Sequence, residues 1–128
     1  MDNESTLEEQ IKEELEHIDN KIAEHKDQIE LAEAIERLHT NDDFKTVILD
    51  GYMETEAERI FSLLITPMGW KKEINDTLLE KIAAIRSLKE FIGVKLREAI
   101  TLPETIVELE DYRKEVTARG SEDSTTKE

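Results

Sequence analysis

Glu14 stands three residues before His17, and Glu36 three before His39. On a helix that spacing puts a carboxylate and an imidazole on one face. Pairs of Glu-x-x-His units hold two metal ions in di-iron four-helix bundles, where further carboxylates project inward from other helices. The competing reading is chance, because a quarter of the chain is acidic and His17 falls at an outward position of its helix. With no cysteine, neither a disulfide framework nor a thiolate metal site can form. No histidine lies near a Ser or Asp arrangement that would activate a nucleophile, and no glycine-rich phosphate loop occurs. Neither an enzyme nor a cofactor site is expected.

The third histidine, His25, belongs to a different pattern. Ile11, Leu15, Ile18, Ile22 and Ile29 recur at steps of four, three, four and seven. Leu15, Ile22 and Ile29 thus take heptad position a, while Ile11, Ile18, His25 and Ala32 take position d. A polar residue in such a seam can fix register or oligomer number, and an imidazole can make pairing pH-sensitive. The plainer alternative is a half-exposed histidine without consequence. A seam this narrow needs a second helix to cover it. The expectation is a homo-oligomer formed through Ile11, Leu15, Ile18, Ile22, His25 and Ile29.

The rod that carries this seam runs from Ser5 to about His39 without Gly or Pro, opened by a Ser5–Glu8 capping box. Thr40-Asn41-Asp42-Asp43 breaks it and can cap a second helix, along which Phe44, Val47, Ile48, Gly51 and Tyr52 share a face. Ala57, Ile60, Phe61 and Leu64 continue the apolar pattern up to a loop at Thr66–Gly69. A third long helix, from about Lys71 to Ala99, has a wider stripe that includes Ile74, Leu78, Ile82, Ile85, Ile92 and Leu96. Thr101-Leu102-Pro103-Glu104 reads as another capping box, opening a short fourth helix that Gly120 would end. The predicted fold is all-α: a coiled-coil-like helix over 1–40, a small helical bundle over 41–118 and a disordered tail over 119–128.

Charge narrows the function classes. The chain carries 32 acids against 17 bases, a net charge of −15. Residues 1–60 hold 19 acids and 6 bases, whereas residues 71–99 hold 5 acids and 7 bases. An acidic first half therefore faces a mildly basic helix, within one molecule or between copies. A chain this acidic repels nucleic-acid phosphate, so direct nucleic-acid binding is not expected. No secretory leader is expected from the acidic first residues, and the uncharged run Ile60–Trp70 is too short to span a bilayer. A soluble protein with no membrane partner is expected. Phe61, Met68 and Trp70 gather around the loop in that run, either as anchors for a partner or as a plug closing the bundle end.

The stretch from AEAIERLH through IAAIRSLKEFI resembles small helical proteins of tailed bacteriophages. The pieces that carry the likeness are Asn41-Asp42-Asp43-Phe44-Lys45, Ile48-Leu49-Asp50-Gly51-Tyr52 and the Glu-rich turn before Arg59. It spans roughly residues 30–95 and holds no reactive residue. The resemblance implies a structural or assembly role in the virion, with docking on a capsid, portal or tail component. It also implies residence in the host cytoplasm during assembly and in the particle. A scaffold removed before maturation is a variant of that role. The alternative from another class is an acidic inhibitor that imitates DNA in the basic groove of a host protein.

Overall fold

A computed structural model describes the backbone of residues 2–126 and the side chains of 6–121. The fold is all-α, with no strand among the described residues. Helix α1 spans Asp2–His39, longer by a turn than the capping box implied. The side chain of Ser5 lies outside the described ones. Asn41 then breaks the helix as its type predicts: its backbone is extended and its side-chain oxygen accepts from the Phe44 amide at 3.0 Å. Asp42 and Asp43 sit in the first turn of α2 (Asp42–Phe44), where the helix dipole favours negative charge.

From α2 the chain continues without a break into a π-helical segment, Lys45–Glu56, and then α3, Ala57–Leu64. Backbone angles stay helical through Phe44 and Ala57, so a single rod changes only its hydrogen-bond register. π-Helix is rare and mostly confined to one turn. Gly51 sits mid-segment, where a Cβ would lie 3.1 Å from the Thr46 carbonyl oxygen. The glycine sits in a locally crowded, wider helix.

A tight turn joins α3 to a 3-10 turn, Pro67–Trp70. The Thr66 hydroxyl donates to the Leu63 carbonyl at 2.7 Å, and the Asn75 amide donates to the Gly69 carbonyl at 3.0 Å. Only glycine fits at 69, since a Cβ there would stand 2.3 Å from the Leu63 carbonyl oxygen and 2.7 Å from Leu64 Cα. After this turn α4 runs from Lys72 to Thr126 as one 55-residue helix. The fourth helix expected at Thr101 is therefore the continuation of the third. Pro103 lies inside it and leaves the Ala99 carbonyl without its usual donor. Gly120 does not end it either, and the helix passes through 119–126, where a disordered tail was expected. Residues 127 and 128 lie outside the described ones.

The chain forms two compact units, divided otherwise than at residue 40. The first joins Met1–Leu31 with Glu98–Glu128, and the second comprises Ala32–Arg97. In the first, the early part of α1 lies antiparallel to the end of α4: Ile11 neighbours Gly120, and Asp19 meets Arg113. Ile18, Ile22, Ile106 and Val116 form its buried core, flanked by Ile11, Leu15, Ile29 and Leu109. In the second, Ile60 is fully buried with Leu78 and Ile85, under Tyr52, Met53, Ala57, Leu63, Leu64, Ile74 and Ile82. Each apolar stripe buries about one side chain per helical turn, and that burial holds the long helices that propensity alone cannot.

Candidate interaction surfaces

The seam on α1 ends up inside the molecule. Ile18 and Ile22 are buried, and Ile11, Leu15 and Ile29 half-buried, against Ile106, Leu109 and Val116 of the same chain. The heptad spacing showed that a covering helix was needed; it carried no information about which chain would supply it. The covering helix is the segment that had been assigned to a short bundle helix. That takes from a second copy the buried part of the surface expected to hold it. His25 is half-buried beside the core, and its Nδ1 lies 2.9 Å from the Gln28 amide oxygen, one turn along the same helix.

Polar contacts fix the register of this pair from outside. The Arg113 guanidinium donates to both Asp19 oxygens, at 2.7 and 3.4 Å, and holds that carboxyl below its ordinary range. Glu14 accepts from the Tyr112 hydroxyl and lies 3.5 Å from Arg119. The first Glu-x-x-His unit is thus taken up in helix pairing through its carboxylate, while His17 faces solvent. Glu36 and His39 are both exposed, and no group of three potential metal ligands occurs among the described residues.

Around the turn of the second unit the side chains face outward. Phe61 is 55% exposed, Met68 58%, Trp70 71% and Ile65 78%. Of the two readings open for this run, closing the bundle falls to Leu63 and Leu64, which pack on Ile60. No known protein family, curated protein or solved structure matches this chain. What the surface can do must therefore be read from its own chemistry. Four large apolar side chains lie within ten residues, pinned by a turn that Gly69 and Asn75 lock. Lys71 and Lys72 follow directly, both exposed. Such a surface gains free energy when another apolar surface covers it, and Trp contributes most per residue. Ile65 was overlooked as an anchor, although its spacing of four from Phe61 placed both on one face.

Elsewhere in the second unit, a cleft between the π-helical segment and α4 is lined by His39, Lys45, Asp50, Glu54 and Lys89 over Met53 and Ile92. No helix among the described residues is long and apolar enough to cross a membrane.

Proposed function

We propose that this protein is a non-enzymatic docking component with a structural or assembly role, of the kind the bacteriophage resemblance implies. The observation that carries the reading is the exposed apolar turn of Phe61, Ile65, Met68 and Trp70, tied down by hydrogen bonds from Thr66 and Asn75 to its backbone. A side chain such as Trp70 lowers solubility without adding to the core beneath it, and gains its use when a partner buries it. The partner in this reading is a larger virion protein, whether capsid, portal or tail, with an apolar pocket that covers the turn. The chain then works in the host cytoplasm during assembly and travels with the particle if its docking is permanent.

The test is sedimentation of assembled particles from cells that produce the wild-type chain or its Trp70→Ser and Ile65→Ser variants. The wild type travels with the particles and the variants stay in the supernatant. A chain that never enters any sedimenting particle overturns the reading.

A second reading draws on a different face. Glu9, Glu13, Glu16, Glu24 and Asp27 are all exposed on α1, away from the seam, and a row of carboxylates can imitate nucleic-acid phosphate. Inhibition of a host nuclease or polymerase, relieved by raised salt and by reversing those charges, would favour it over docking through the turn.

A further inference from the structure

The middle of α4 breaks the acidic character of the chain. Arg86, Lys89, Gly93 and Arg97 follow at offsets of three, seven and eleven, which places them on one helical face. With Glu90 and Val94 they line a shallow groove. The three cations are exposed, and among the described residues none of them has an ion-pair partner. In a chain with nearly twice as many acids as bases, three neighbouring cations without acid partners are an unmet electrostatic demand. Gly93 adds shape, because a Cβ there would meet nothing within 4 Å. The groove has room for another backbone to approach closely.

The complement is carried by α1. Read backwards, Asp27, Glu24, Asn20 and Glu16 fall at the same offsets of three, seven and eleven. All four are exposed, on the side of α1 turned away from Ile18 and Ile22. Both rows span about 16 Å at the helical rise of 1.5 Å per residue. We propose that this groove on α4 receives the acidic face of α1 from a second copy of the chain, the two helices antiparallel. Arg86 then meets Asp27, Lys89 meets Glu24, Arg97 meets Glu16, and Asn20 sits over the Gly93 notch. Lys21, which pairs with Glu24 at 3.5 Å within one chain, is released toward Glu90, the one acid of the groove. An individual exposed pair contributes little, but three in register with a close backbone approach add up and select the partner.

This adds self-association to the docking role proposed above, rests on a different face and leaves the Phe61–Trp70 turn free. Either can therefore fail without the other. The test is light scattering and sedimentation of the full chain at low salt and at about 0.5 M salt, where screening shortens to a few ångströms. A dimer is expected at low salt, with its dissociation constant raised about tenfold or more at high salt. Reversing the groove (Arg86→Glu, Lys89→Glu, Arg97→Glu) gives a monomer, as does reversing the ridge (Glu16→Lys, Glu24→Lys, Asp27→Lys). Mixing the two variants restores association, because each then offers what the other lacks. Gly93→Leu fills the notch on an exposed helix face that tolerates it, and also gives a monomer. Circular dichroism establishes that each variant is folded. A wild type that stays monomeric at low salt overturns the proposal, including one that instead binds polyglutamate. Association indifferent to salt or to charge reversal overturns it equally.

Discussion

The Arg113 guanidinium holds the Asp19 carboxylate across the α1–α4 pair, with Nε at 2.7 Å from one oxygen and Nη2 at 3.4 Å from the other. Their positions in the sequence are 94 residues apart, so this contact reports directly that the two chain ends run together. The hydrogen bond from Arg113 is the main reason that the Asp19 carboxyl titrates below its ordinary value of 3.8. A carboxyl whose folded pKa is lowered adds stability above the unfolded pKa, and that contribution disappears as pH falls through the folded one. Asp19→Asn should therefore lower the urea midpoint slightly at pH 7, and the difference from wild type should shrink as pH falls below the ordinary carboxyl range. Both groups are largely solvated, so the difference at pH 7 is small and shrinks with salt. The exchange Asp19→Arg with Arg113→Asp should restore most of the loss.

Glycine positions in this fold respond differently to the same added methyl group. At Gly69 the methyl would collide with the Leu63 carbonyl and Leu64 Cα, both backbone atoms that cannot step aside. Gly69→Ala is expected to cost about 2 kcal/mol or more, read from urea unfolding. At Gly120 the methyl would rest 3.7 and 3.8 Å from Ile11, ordinary contact distances, inside a helix that prefers alanine. Gly120→Ala should raise stability by roughly 0.5–1 kcal/mol. A loss at Gly120 as large as that at Gly69 would mean that Ile11 packs on α4 too closely for a methyl group to fit.

What could be read from the residues follows the range of the signal. Asn41 announces a break because its effect is local: its side chain caps the amide three residues on. The stripe of Leu78, Ile85 and Ile92 is local too, since helical periodicity alone selects the buried face. Pro103 and Gly120 misled for the opposite reason. Both are strong local helix breakers, but Ile106, Leu109 and Val116 pack on α1 and keep the helix intact through them. The seam on α1 was legible and its covering helix was not, because intrachain and interchain partners leave the same heptad pattern. The π-helical register of Lys45–Glu56 leaves no mark in residue types beyond Gly51.

Neighbouring residues on α3 separate core from surface. Ile60 has no exposed area, while Phe61 is more than half exposed. Ile60→Ala leaves a cavity among Leu78, Ile85 and their neighbours, and should cost about 2–5 kcal/mol. Phe61→Ala removes a larger side chain yet should shift stability by no more than about 0.5 kcal/mol. If both cost the same in urea unfolding, Phe61 serves the fold rather than a partner.

Trp70 allows the exposed turn to be watched directly, because it is the only tryptophan in the chain. With 71% of its surface exposed, its indole should emit at the long wavelength of tryptophan in water and be quenched readily by acrylamide. Unfolding in urea should then change its emission maximum little, although helicity collapses. Docking on a partner moves the indole into an apolar pocket, so emission shifts to shorter wavelength and quenching falls several-fold. Self-association through the α4 groove involves residues 86–97 and leaves Trp70 in water. Dimer formation at low salt should therefore leave its emission unchanged, while particle docking should not. A shift on dimerisation alone would place the turn in the interface between copies.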